Sequence, residues 1–245
     1  HFFACTDELK DSELYRTDAI QYGALYLAAK ADMVLEAIHW ACLQNRDKEA
    51  RQLEQRFFSL LKNADRLLAS HPIFRLDYWT DQASKAGCTD EEKDRQIGEL
   101  RRLMTIWGTG LSLNDYAARV WSGLIRDFYI PRWENYFTAL HGRRSFDFVK
   151  WDAEFYTKRK VSPVVPFSDP LKEAKRLVYE ASNLTPRIIA APPGSVSYWT
   201  PMDFRNAKTS YSFTIGYQDY EQMNSIRLIM SRGMDPLEVD RITFR

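Results

Sequence analysis

A chain of 245 residues, 45% hydrophobic and 27% charged, has the make-up of a soluble globular protein with one large or two small domains. Its net charge of +1 gives no electrostatic basis for binding nucleic acid or an anionic membrane. No run of about 18 apolar residues is present, so no helical membrane span is expected.

From Ile20 onward, apolar or small residues recur at Ala24, Leu27, Ala28, Ala31, Val34, Leu35, Ile38 and Cys42. This is one face of a helix, and its small members let a neighbour approach closely. Thr17 or Asp18 is the expected N-cap. A second stripe runs through Ala50, Leu53, Phe57, Leu60, Leu61, Ala64, Leu67 and Leu68 and stops at His71-Pro72. The polar turn Asn45-Arg46-Asp47 makes the pair an antiparallel hairpin. A shorter helix is expected from Leu76 to Lys85, ended by Gly87. Thr89 and Glu92 form a capping-box pattern that opens a helix to Ile106.

Leu113, Ala117, Val120, Leu124 and Phe128 predict one aromatic-rich helix from Leu113 to Tyr129, kinked or ended by Pro131. Further helices are predicted over Phe146–Tyr156 and from Asp169-Pro170, with Asp at the cap and Pro at the first helical position. The stripe of the last helix is Leu171, Ala174, Leu177, Val178 and Ala181.

After Asn183 the period changes. Tyr211, Phe213, Ile215 and Tyr217 alternate, as do Ile226, Leu228 and Met230, with Pro192-Pro193-Gly194 and Gly233 as punctuation. The expected fold class is therefore mainly α: an antiparallel, bundle-like helical domain over 1–182, followed by a small antiparallel β segment over 183–245.

Cys5, Cys42 and Cys88 are odd in number and lack metal-ligand spacing, so neither a disulfide framework nor a metal site is expected. Cys42 falls on the first helical stripe and reads as a buried thiol. Asn183-Leu184-Thr185 is a glycosylation sequon, meaningful only in a eukaryotic secretory source. No nucleotide-binding fingerprint, Ser-His-Asp signature or metalloprotease motif is present, and no cofactor is implied. Asp115, expected in the first turn of its helix, reads as a charge opposing the helix dipole, and Glu134 as a surface carboxylate. No catalytic residue is assigned.

The run TIWGTGLSLNDYAARVWSGLIRDFYIPRW, residues 105–133, resembles the C-terminal helical region of the α-N-acetylglucosaminidases, glycoside hydrolase family 89. Those enzymes carry LTLWG, LDYANK, AGLV and YYxPRW, matched here by Trp107, Gly108, Asp115, Tyr116, Ala117, Gly123, Leu124, Tyr129, Pro131, Arg132 and Trp133. The resemblance spans roughly residues 14–180. Arg119-Val120-Trp121-Ser122 and Thr109 depart from it.

The resemblance implies that the two catalytic glutamates lie in a barrel domain upstream, so that this chain is one part of a retaining exo-enzyme. It implies as partners that barrel and a glycan ending in α-linked N-acetylglucosamine. It also implies a secreted, periplasmic or lysosome-like compartment. Trp107 and Tyr116 would then bind substrate as part of the sugar-pocket wall, the indole stacking on the sugar and the phenol hydrogen-bonding a hydroxyl. The competing reading makes both aromatics plugs of a helix junction. A non-catalytic glycan-binding module and a purely structural scaffold are the alternatives for the whole chain, with Tyr198, Trp199, Tyr211 and Tyr217 as the glycan platform in the former. Arg132, at the expected helix break, is expected to bond free carbonyls there.

Overall fold

The computed structural model describes residues 2–107, 115, 117 and 119–184. The chain divides into two compact units, residues 1–188 and 189–245. The predicted β segment lies outside the described residues, among which there are eight α-helices and no strand.

After a 3₁₀ turn at Phe2–Cys5 and the short α1 (Thr6–Leu9) come α2 (Glu13–Leu43) and α3 (Asp47–Leu68), packed as the expected hairpin. The expected cap is corrected. The helix begins earlier, with Ser12 accepting from the Tyr15 N–H, because Tyr15, Ala19 and Ile20 extend the buried stripe toward the N-terminus. Alanines 19, 24, 31 and 41 are fully or almost fully buried and bring the α2 backbone close to its neighbours. Gly23 is closest: a Cβ there would meet Leu67 Cδ2 at 2.9 Å and Ala174 Cβ at 3.2 Å.

Ala174 belongs to α8 (Pro170–Ser182), which lies along α2 and buries Leu171, Ala174, Leu177 and Ala181. Asp169 caps α8 through the Lys172 N–H, as the sequence requires. Each fully buried Leu in this three-helix layer contributes about 1.5–3 kcal/mol of transfer free energy. Cys42 is half-buried at the edge of this core, not enclosed by it.

A second apolar cluster joins α4 (Leu76–Ser84), α5 (Asp90–Thr105) and α7 (Phe148–Phe155) through Leu76, Met104, Leu124, Phe128 and Phe155. Both halves of the Thr89/Glu92 capping box form at the start of α5. Arg101, buried in α5, lies over the Phe155 ring at 4.7 Å and donates to the carbonyls of Arg159 and Lys160.

The predicted helix from Leu113 to Tyr129 does not form as one piece. Asp115 and Ala117 lie in turns, Arg119 to Trp121 are irregular, and Ser122 makes an isolated parallel bridge with Arg75. Helical structure resumes at Leu124, widens to a π turn over Ile125–Tyr129, and passes directly into α6 (Ile130–His141). Pro131 thus neither ends nor visibly breaks the helix; it sits in the first turn of α6. The π turn explains this. Pro131 has no N–H for the carbonyl one turn back and its ring crowds that carbonyl, while the wider turn lets the Ile130 N–H reach Ile125 O instead.

What displaces the irregular stretch is a long-range charge. Asp65, on the buried face of α3, accepts from the Gly123 N–H at 2.8 Å and from Arg126 Nη1 at 2.6 Å. Arg126 also donates to Ser162 O, and the Ser162 N–H donates to Asp127. Burial pushes the Asp65 carboxyl above its usual range, while the Gly123 N–H and the Arg126 charge pull it back. Gly123 reaches the carboxylate with φ +89°, and a Cβ there would meet Leu76 Cβ and Val161 Cγ1, each at 3.1 Å. Among the described residues no helix is long and apolar enough to cross a membrane.

Two stability outcomes follow. Asp65→Ala takes the buried carboxylate from Arg126 and the acceptor from the Gly123 N–H and should cost about 2–4 kcal/mol. Asp65→Ala with Arg126→Met should recover part of that loss. A double variant as unstable as Asp65→Ala alone in urea denaturation would mean that the charge pairing is not the cause. Gly123→Ala should cost about 1–3 kcal/mol, since it combines a left-handed φ with two tight contacts. An unchanged urea midpoint would contradict the geometry.

Candidate functional site

Helix α5 ends in a way that sets the direction of Trp107. The N–H groups of Ile106 and Trp107 both donate to Arg102 O, at 2.9 and 3.0 Å. Trp107 itself adopts φ +38°, the left-handed conformation that usually falls to glycine just past a helix. Gly108 stands one residue too late to take that place. A bulky side chain in this region carries a backbone cost of about 1–2 kcal/mol. Trp107 is 39% exposed. Tyr116, the other residue singled out from the sequence, lies outside the described residues.

The chain returns to the last turn of α5 at Asp115, whose N–H donates to Thr105 O at 2.7 Å. Thr105 is fully buried, and its hydroxyl donates to Arg101 O at 2.9 Å. Asp115 also has a left-handed φ, +58°, which an Asp tolerates better than most residues. Its expected place in the first turn of a helix is therefore corrected: Asp115 sits in a turn and answers a side-chain cation, not a helix dipole.

That cation is Arg132. Nη2 donates to Asp115 Oδ2 at 2.7 Å, and Nη1 donates to Asp115 Oδ1 at 3.2 Å and to Asp152 Oδ1 at 3.2 Å. Arg132 and Asp152 are buried, whereas the Asp115 side chain is 39% exposed. Four rings surround the guanidinium: Phe128 at 4.9 Å, Tyr129 at 5.0 Å, Trp133 at 5.6 Å and Phe148 at 5.8 Å. Burial opposes the Arg132 charge, but its bonds to Asp115 and the fields of both carboxylates more than compensate and hold its pKa above the ordinary value. Burial, with the Asp115 carboxylate beside it, pushes the Tyr129 phenol well above its usual range.

The sequence reading expected Arg132 to bond free carbonyls at a helix break. The break does not exist, since α6 continues through it, and the guanidinium is spent on two carboxylates. Asp152 and Tyr129 were missed. A signal for Asp152 was available, because it falls on the same face as Phe148 and Phe155, where a lone carboxylate requires a partner. Glu134 is an exposed carboxylate, as expected. Asp115 and Asp152 share one cation, so neither is placed as a free acid or base. Among the described residues, no group of three or more His, Cys, Asp and Glu side chains converges as a metal site would require.

A separate cleft of about 320 Å³ opens between α2 and α6. Asp32, Glu36 and His39 lie on one side of it, and Trp133, Tyr136 and Leu140 on the other. Burial at its edge raises the Asp32 carboxyl above its usual range.

Comparison with known proteins gives this geometry a context. Residues 1–180 match the family described as the alpha-N-acetylglucosaminidase (NAGLU) C-terminal domain. An alpha-N-acetylglucosaminidase of Homo sapiens is 35% identical over 83 residues, covering 34% of this chain and 11% of the human protein. A family 89 glycoside hydrolase from Clostridium perfringens, solved in complex with 2-acetamido-1,2-dideoxynojirimycin, superposes with a TM-score of 0.67 at 25% identity. That match covers 75% of this chain and 23% of the bacterial one. A second structure from the same organism, a doubly substituted variant bound to its substrate GlcNAc-α-1,4-galactose, gives a TM-score of 0.66 at 26% identity over 73% of this chain and 22% of the other. The chain spans only about a tenth to a quarter of these relatives. With the family match covering residues 1–180 of 245, the chain belongs to the alpha-N-acetylglucosaminidase C-terminal domain family.

Proposed function

We propose that this chain is the helical accessory domain of a retaining exo-α-N-acetylglucosaminidase. It packs on a catalytic barrel outside the chain and forms one wall of the sugar pocket. The substrate is a glycan with a terminal α-linked N-acetylglucosamine. The working compartment is secreted, periplasmic or lysosome-like, by family resemblance. Trp107 and Tyr116 are the wall residues: the indole offers an apolar face to the pyranose ring, and the phenol a hydroxyl to hydrogen-bond it.

The observation that carries this reading is Trp107. A large aromatic side chain stands partly exposed at a left-handed helix terminus, where glycine is the cheaper residue. Backbone cost accepted to present a side chain is a feature of functional sites. Two bacterial structures suggest the ligand chemistry, since they hold an N-acetylglucosamine-like iminosugar and GlcNAc-α-1,4-galactose. Hydrolysis with retention needs two carboxyl groups about 5 Å apart with a free face toward the sugar. Asp115 and Asp152 are both committed to Arg132, so neither offers such a free face.

Two outcomes test this. The 245-residue chain alone should not turn over an aryl α-N-acetylglucosaminide. Turnover that survives repurification and vanishes when one carboxylate of this chain is replaced would overturn the assignment. In the complete enzyme, Trp107→Ala should lower kcat/KM by about tenfold or more, equivalent to roughly 1.4 kcal/mol of transition-state binding. In the isolated chain, Trp107→Gly should stay within about 1 kcal/mol of the parent, because relief of the left-handed backbone offsets lost packing. A loss of about 3–5 kcal/mol in the isolated chain would identify Trp107 as a core plug instead.

A further inference from the structure

We propose that Asp115, held by Arg132, is the positioning residue that fixes Trp107 for sugar binding. The proposal rests on the reading of Trp107 as a pocket wall and extends it to the device that orients the indole.

The link is continuous and each step is a hydrogen bond or a short piece of chain. Arg132 stands in the first turns of α6 and grips the Asp115 carboxylate with two N–H groups, at 2.7 and 3.2 Å. The Asp115 N–H holds Thr105 O at 2.7 Å, two residues before Trp107. Thr105 is locked from the other side by its hydroxyl bond to Arg101 O. Trp107 is tied through its own N–H to Arg102 O. The exit of α5, which sets where the indole stands, is thus clamped to α6 through one carboxylate. The Tyr129 ring lies 5.0 Å from the Arg132 guanidinium that grips this carboxylate.

The two carboxylates around Arg132 divide the work. Asp152 is wholly buried on α7 and neutralises the guanidinium inside the fold. Asp115 is partly exposed and bonds the α5 exit. Removing Asp115 therefore leaves Arg132 paired with Asp152, so the core keeps a neutral pair while the exit of α5 loses its clamp. Two left-handed residues, Trp107 and Asp115, lie at the two ends of this connection. Such conformations persist only where the surroundings over-determine them, and the Arg132–Asp115 bonds supply that restraint.

The test is a double-mutant cycle in the complete enzyme, with Trp107→Ala, Asp115→Ala, Asp115→Asn and the pair Trp107→Ala/Asp115→Ala. Measured are KM and kcat on an aryl α-N-acetylglucosaminide, Ki for 2-acetamido-1,2-dideoxynojirimycin, and Tm. Asp115→Ala should raise KM and Ki by about tenfold, as Trp107→Ala does, with Tm lowered by only about 2–4 °C. Asp115→Asn, which keeps one acceptor oxygen, should fall between Asp115→Ala and the parent. The double variant should be no weaker than Trp107→Ala alone, because a clamp has nothing to position once the indole is gone.

If Trp107→Ala weakens binding and Asp115→Ala does not, the positioning role is wrong and the pocket wall stands. If the two losses multiply, Asp115 acts independently of Trp107 and the proposal also fails. An unaffected Trp107→Ala removes the pocket-wall reading itself, and this inference with it. If neither Asp115 variant folds, the residue is a structural element only, which likewise refutes the proposal.

Discussion

A guanidinium taken out of water needs charged partners, and in this chain that requirement organises one corner of the helical unit. Arg132 enters the interior at the start of α6, and three separate pieces of chain converge on it. Helix α7 brings Asp152, the return from α5 brings Asp115, and the π turn brings the rings of Phe128 and Tyr129. Removing the shared cation would cost more than the net contribution of either pair, because the Asp152 charge would be left buried. The arrangement therefore specifies where the irregular stretch before α6 must go more strongly than it stabilises the fold as a whole.

The Asp65–Arg126 contact applies the same rule from the other side of the same stretch. There the buried charge is the carboxylate, carried on α3, and the chain supplies a guanidinium and a backbone N–H from Gly123. Between them the two ion clusters hold Asp115, Gly123, Arg126 and Arg132 against α3, α5 and α7. The π turn is the length adjustment that lets both be satisfied at once. A regular α-helix from Gly123 onward would place Pro131 against the Asp127 carbonyl. One widened turn removes that clash and keeps Arg126 and Arg132 facing different partners.

This explains which parts of the fold were legible in the sequence. Helices α3, α5 and α8 announce themselves through local rules: a 3.6-residue apolar stripe, a Thr-x-x-Glu box, an Asp-Pro start. Their ends depend on neighbours a few residues away, so periodicity and capping are enough. The stretch before Tyr129 was misread because its apolar spacing is also compatible with a helix. What decides its conformation is non-local: Asp65 lies 58 residues from Gly123, and Asp152 lies 20 from Arg132. The early start of α2 was missed for a smaller reason, since Ser12 precedes a polar turn before the stripe becomes obvious. Of the candidate site, Trp107 was reached through family resemblance, and no spacing rule singled it out. The carboxylates around Arg132 belong to three-dimensional pairing, although a lone Asp between two Phe on the apolar face of α7 was a readable sign.

The position of Trp107 shows how stability and binding are separated in this domain. A helix that needs only to stop is best ended by glycine in the left-handed position, and glycine is present one residue downstream. Moving Trp into that position places a bulky residue where the backbone resists it. The indole stays 39% exposed, beside a core that Met104 and Leu76 build from the same helix end and its neighbour. The restraint needed to hold it comes from outside the helix, through Asp115 and the buried cation behind it. Most buried residues of the layer of α2, α3 and α8 are remote in sequence from this corner, with Ile125, Ile130 and Phe137 joining them from the π turn and α6. The domain can therefore carry a strained terminus locally, because the bulk of its apolar burial does not depend on it.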